Sequence, residues 1–174
     1  MAELDLAHDR CVELRGRAWH VWLRRGVLLT FAAFCVVGLV GVFGQHATTS
    51  AVTALRASLR VDAPSRLRGG LLFQARFVIR AGPRRLSQPK LILGENWFDN
   101  VTLNSTTPDP SAENSRGGRV AMAFPPIEAR QALTVLTEWQ VNPTAKLGRR
   151  SLSAAVADGN TRLARLQRTL TILP

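Results

Sequence analysis

Two carboxylates, Glu95 and Asp99, stand four residues apart with Trp97 and Phe98 between them. Paired acids beside aromatic platforms suit a glycosidase, provided the carboxyl groups lie about 5 Å or about 6.5–9.5 Å apart across a sugar. The alternative is a loop whose aromatics cap a hydrophobic core and whose acids meet nearby arginines, and this is the favoured reading. Asp99, Asn100 and Asn104 offer oxygens of the kind calcium takes, but without the spacing of a calcium loop. Other chemistries lack their residue types. After His46 the chain has neither histidine nor cysteine, so a Ser-His-Asp or Cys-His arrangement and a His/Cys zinc site are both excluded there. The pairs Gly69-Gly70 and Gly117-Gly118 precede strand-like rather than helix-like segments, which does not fit a phosphate-binding loop. No catalytic residue, metal or cofactor is expected, and a carbohydrate-active enzyme built on Glu95 and Asp99 is a remote alternative.

Arginine is the other residue type with chemistry to offer. The 174-residue chain carries 23 basic against 12 acidic residues, a formal charge of +11, and only Lys90 and Lys146 are lysines. Arg66, Arg68, Arg76, Arg80, Arg84 and Arg85 fall within twenty residues, and Arg162, Arg165 and Arg168 lie near the C-terminus. Guanidinium groups in such number could form a face for a polyanion, namely anionic lipid headgroups or an acidic wall polymer. Nucleic acid is disfavoured, because no recognition helix or stacking array accompanies the charge. The competing view is a solvated strand face that resists edge-to-edge pairing.

These residues have to be placed by longer elements. Gly26 to Gly44 contains nineteen residues and no charge. As a helix it spans about 28 Å, close to the thickness of a bilayer core. Trp19, Trp22, Arg24 and Arg25 precede it as interface residues. A cleaved signal peptide is the rival, though the apolar run and the 25-residue lead are both long for one. Arg15, Arg17, Arg24 and Arg25 outnumber Arg56 and Arg60 at the far flank, which places the N-terminus in the cytoplasm. The expected organisation is a cytoplasmic lead over 1–25, a transmembrane helix over 26–44, a juxtamembrane linker over 45–56 and an extracytoplasmic domain over 57–174. After residue 45 there are 18 basic and 8 acidic residues, so an excess of ten falls on the linker and domain together.

The domain itself alternates. Leu71, Phe73, Ala75, Phe77 and Ile79 oppose Gln74, Arg76 and Arg80, and Leu133, Val135, Thr137, Trp139 and Val141 repeat the period of two. Leu152, Ala154 and Val156 oppose Ser151, Ser153 and Ala155. In the last segment Ala164, Leu166, Leu170 and Ile172 form the apolar series, which Arg168 interrupts; a bulge or an edge position would accommodate it. Asp158-Gly159-Asn160 reads as a hairpin turn. Shorter strands are expected at 58–61, 90–93, 101–103 and 119–124. Seven or eight strands in all predict a two-sheet β-sandwich of immunoglobulin-like or fibronectin-like topology, with Trp139 in its core. Stability must come from packing, since no disulfide is available to the domain.

The charged lead, the single apolar helix and a cysteine-free sandwich carrying Glu95-Asn96-Trp97-Phe98, Pro108-Asp109-Pro110, Asn142-Pro143 and Gly148-Arg149-Arg150 resemble small single-pass membrane proteins of high-GC, actinobacterial-type bacteria. That resemblance implies a cell-envelope protein with an extracytoplasmic sandwich, and it transfers no activity. The expected function is a membrane-anchored accessory module, without catalysis, that binds another envelope or integral membrane protein. Binding of anionic lipid or wall polymer through an Arg-rich face is the alternative.

Overall fold

A computed structural model of the chain describes residues 2–39 and 46–173. It separates into two compact units, residues 1–44 and residues 45–174.

The first unit is one helix, α1 (Ala2–Leu39), which begins inside the charged lead rather than at Gly26. Within it, Trp19–Leu39 is long and apolar enough to cross a membrane, a test that a signal sequence near an N-terminus also passes. Residues 40–44 of the expected span lie outside the described residues. Trp19 and Trp22 are exposed, and the Arg25 guanidinium lies over the Trp22 ring at 5.7 Å from its centroid. Such a pair leaves both side chains amphipathic, with an apolar body and a polar tip.

The second unit is a two-sheet β-sandwich. One sheet has five strands in the order β1 (Ala47–Thr53), β2 (Ala57–Pro64), β4 (Leu72–Ala81), β9 (Ala132–Val141), β6 (Val101–Thr107). The other has six: β3 (Arg66–Arg68), β11 (Thr161–Leu173), β10 (Gly148–Asp158), β5 (Pro89–Leu93), β8 (Arg119–Ala123), β7 (Ala112–Arg116). The order β2-β4-β9-β6 opposite β11-β10-β5 is the frame of an immunoglobulin-like sandwich. The connectivity departs from it in the middle, where β6 crosses to the first sheet before the β7–β8 hairpin returns to the second. β3 pairs with β11 in parallel, and every other pairing of named strands is antiparallel.

Among the described residues eleven strands form, where seven or eight are expected. The additional ones are β1, β3 and β7, and each lacks an apolar alternation for a physical reason. β1 is a sheet edge of alanines, threonines and serine, β3 is only three residues long, and β7 is exposed throughout. Ala47–Thr53, expected within the juxtamembrane linker, pairs along its whole length with β2, so the sandwich begins about ten residues earlier than the alternation indicated. Both tight hairpins follow their glycines. Gly117 (φ 56°) and Gly118 (φ 70°) close β7–β8, and Gly159 (φ 60°) leads the β10–β11 turn. These positive angles match the mirror-image turns that suit the twist of paired strands.

The long strands bury alternate side chains against one another. Leu59, Val61, Phe77, Ile79, Val135 and Trp139 from the first sheet meet Leu91, Leu93, Met122, Leu152, Val156 and Ile172 from the second. Trp139 lies at the centre, fully buried, with Trp97 and Phe98 each at 5.4 Å between ring centroids. Its indole N–H donates to Thr137 Oγ1 (2.7 Å), whose hydroxyl in turn donates to the Ala75 carbonyl. A buried indole with its donor satisfied stabilises a core through both area and hydrogen bonding.

Candidate functional site

The acidic pair at 95 and 99 does not make a cleft. Glu95 opens a short 3-10 turn (Glu95–Trp97), and Trp97 points inward, where its N–H donates to the Ser153 carbonyl at 3.0 Å. Phe98 packs on Trp139, so neither aromatic is offered to a sugar. Asp99 forms an ion pair with Arg150 at 3.2 Å and accepts a hydrogen bond from the Asn100 amide. Arg150 also donates to the Asp99 and Lys146 carbonyls, which makes this a brace for the loop. Among the described residues, no three of the His, Cys, Asp and Glu side chains gather in a way that would hold a metal.

Nor do the nine arginines share one face. Arg66 and Arg68 are exposed on β3, while Arg76 and Arg80 project from the outer face of the five-stranded sheet. Arg84 and Arg85 lie between β4 and β5, where Arg85 pairs with Glu128 at 3.3 Å. Arg162 and Arg165 project from the outer face of the six-stranded sheet. Strand alternation and sheet assignment therefore scatter a cluster that is dense only along the chain.

Arg168 is buried. It occupies an inward position of β11 and is 7% exposed. Its terminal NH2 donates to the carbonyls of Ala63 and Pro64 and to Thr48 Oγ1, while Nε and NH1 have no partner. Burial pushes its pKa down and the charge of Asp62 acts against that shift. The expectation of a bulge at Arg168 is corrected, because the irregular register in this hairpin lies at Val156/Ala157. The edge position holds locally, since β3 pairs only with residues 171–173 and Arg168 has β10 alone beside it. The arginine keeps the alternation because β1 and β2 supply acceptors where apolar contacts would otherwise stand. It serves the fold and not a surface ligand.

Asp62 sets the acid limit of the same corner. Burial alone would raise its pKa, but hydrogen bonds from Thr49 (2.6 Å) and Arg60 (3.1 Å), with the charges of Arg60 and Arg76, together hold the carboxyl below its ordinary value. A carboxyl depressed in the folded state stabilises above its unfolded pKa, and that contribution is lost as pH falls through the folded one. Urea denaturation midpoints should therefore drop below about pH 4, and Asp62→Asn should remove part of that slope. Parallel pH profiles for the two proteins would contradict the assignment.

A different cationic surface emerges on the outer face of the six-stranded sheet. Cross-strand register lays down three rows. In the middle one, Arg165, Ala155, Ile92, Ala121 and Asn114 run across β11, β10, β5, β8 and β7. On one side Arg162, Ala157, Lys90 and Ala123 follow the same course. On the other, Ser153 and Gly94 lead to Arg119 and Arg116. Ala155 and Ala157 face outward yet are only 6% and 3% exposed, and neither belongs to the sandwich core. They form the floor of a trough whose walls are longer side chains, Arg162 and Arg165 on one side and Arg119 toward the other.

The side chains of Lys90, Arg116, Arg119, Arg162 and Arg165 make no hydrogen bond or ion pair with any described residue, and the acids bordering the trough are Glu95 and Glu113. Only Arg162 and Arg165 of this set were singled out by sequence clustering. Arg116, Arg119 and Lys90 come from strands over thirty residues away, so only the sheet brings them together. The legible signal was the run of small outward residues on β10, Ser153, Ala155 and Ala157.

The class defined by these features is a β-sandwich preceded by one apolar helix. No protein-family model matches the chain, and no curated protein matches it. It is similar to the CARDB domain of a Pyrococcus furiosus protein in complex with di-metal ions, at 9% identity and a TM-score of 0.41, over 74% of this chain and 90% of that one. It is also similar to a type I cohesin–dockerin complex from Clostridium thermocellum, at 9% identity, TM-score 0.39, over 62% and 90%. The human F-spondin reeler domain is similar at 18% identity, TM-score 0.40, over 68% and 88%.

Proposed function

We propose that the chain is a membrane-anchored, non-catalytic interaction module of a bacterial cell envelope, with its sandwich outside the cytoplasm and a partner protein held on that sandwich. Five unpaired cations around a small-residue floor are the observation that carries the reading. Desolvating them is favourable only against a surface that supplies the missing charge and shape. Of the two acids weighed for catalysis, Asp99 is engaged with Arg150, and Glu95 stands apart from it at the border of the trough. The apolar stretch Trp19–Leu39 supplies the anchor, with Trp19, Trp22, Arg24 and Arg25 at its cytoplasmic boundary.

The test is photocrosslinking in the native host, with a crosslinking residue at Ala121 in the trough or at Thr134 on the other sheet, followed by mild-detergent purification. A discrete protein adduct from Ala121 and none from Thr134 is expected. A clean monomer from both positions would overturn the reading.

The second reading, an anionic lipid or wall-polymer binder, is favoured by Arg66, Arg68, Arg80 and Arg84, which are exposed without ion pairs among the described residues. It requires vesicle or polymer binding that falls steeply between low and high salt. Flat salt behaviour removes it.

A further inference from the structure

The trough has a width, a floor and a charge, and together they select among partners. From β11 to β8 is three interstrand steps, about 14 Å at the usual spacing. An α-helix with its side chains is about 10–12 Å across. Ala155, Ala157 and Ala121 keep the floor low on β10 and β8, with Ile92 and Lys90 standing between them on β5, so a helix seated here needs small residues on the face it presents. Backbone pairing cannot add a strand here, because β10 and β5 already have neighbours on both sides. No aromatic residue lies in the three rows, so bases and sugar rings find nothing to stack on. Phosphate polymers could meet the arginines but have no apolar surface to set against Ile92 and the alanines.

We propose that this trough seats an α-helix of the partner protein, one with a small-residue face flanked by acidic side chains. The inference rests on the interaction-module reading and names the chemistry of its partner. Arg162 and Arg165 meet the acids along one flank, and Arg119 with Arg116 meets those along the other. Guanidinium groups pair with carboxylates through two parallel N–H donors, which fixes the helix in register as well as attracting it. Glu95 and Glu113 border the trough and repel a helix whose acids fall at the wrong positions.

The probe is a fluorescently labelled synthetic helix with an alanine face and glutamates on both flanks, titrated onto the full-length protein in detergent micelles. Fluorescence anisotropy should show binding at low salt that weakens at least about tenfold in 0.5 M salt. The triple variant R119E/R162E/R165E should bind at least about 30-fold more weakly, while R76E/R80E, on the other sheet, stays within about twofold of the parent. Ala155→Leu keeps every charge and fills the floor, so it should weaken binding about tenfold if a helix lies there. All the substituted arginines are exposed, and thermal melts establish that each variant is folded.

Equal losses in both arginine variants, or unchanged binding in Ala155→Leu, would overturn the seating. So would displacement of the peptide by polyphosphate or phosphatidylglycerol vesicles at lower concentration than unlabelled peptide. In the host, an Ala121 adduct that survives the triple charge reversal removes the acidic helix and leaves the interaction module standing. Absence of any adduct in the parent chain strikes the module itself.

Discussion

Arg168→Ala is expected to destabilise the sandwich by about 2–4 kcal/mol, although the residue is a basic side chain in a chain full of them. The carbonyl of Pro64 and the hydroxyl of Thr48 lose the guanidinium donor, the Ala63 carbonyl is left with Thr48 Oγ1 alone of its two side-chain donors, and the stem leaves a void between the sheets. Buried acceptors without a donor, together with a cavity, are among the few mechanisms that produce losses of this size. Arg168→Met should recover part of the loss, because it fills the volume and removes a charge with two unpartnered nitrogens. Urea titrations read the difference directly. Hydrogen exchange should also quicken in β1, whose Thr48 is tied to β11 through this side chain. An alanine variant with an unchanged midpoint would show that the guanidinium contributes nothing net.

Trp139→Ala should cost about 3–5 kcal/mol, more than Arg168→Ala. The ring is fully buried among Phe73, Trp97 and Phe98, and its N–H completes the chain through Thr137 to the Ala75 carbonyl. For a domain of this size such a loss lowers the melting temperature by about 10 °C or more. Trp139→Phe keeps most of the apolar volume but leaves Thr137 without its donor, so an intermediate loss is expected. A melting temperature within about 2 °C of the parent for the alanine variant would refute the central placement of this ring.

The two residues show why some of the sandwich was legible in advance and some was not. Trp139 sits in a strand that alternates cleanly, and period-two burial is a local property of extended backbone. Arg168 sits in the same kind of pattern, but its polarity hid the fact that it points inward. The acceptors that permit its burial come from residues more than a hundred positions earlier. β1, β3 and β7 were missed for the opposite reason. They are held mainly by backbone pairing to stronger neighbours and bury too little to show a pattern, Leu67 of β3 and part of Val52 of β1.

The candidate site divides in the same way. Clustering along the chain nominated nine arginines, and the sheets sent them to β3, two outer faces, a loop and the interior. The favoured reading of Glu95–Asp99 has its aromatics cap the core and its acids meet arginines. Trp97 and Phe98 do turn inward and Asp99 pairs with Arg150, whereas Glu95 makes no ion pair among the described residues. The trough could not be found from spacing, because Arg116, Arg119, Lys90, Arg162 and Arg165 become neighbours only through the strand order β11-β10-β5-β8-β7.

By itself, then, the sequence determined what depends on neighbours along the chain. It set an apolar stretch long enough to span a bilayer, alternating strands that demand two facing sheets, hairpin glycines, and a chain that after His46 has neither the histidine nor the cysteine on which many catalytic and metal sites depend. Tertiary structure alone decided which arginine is buried, which acids are braced, and which cations share a surface. Those outcomes depend on strand order and cross-strand register, and the free energy that selects them is spread over contacts between residues far apart in the chain.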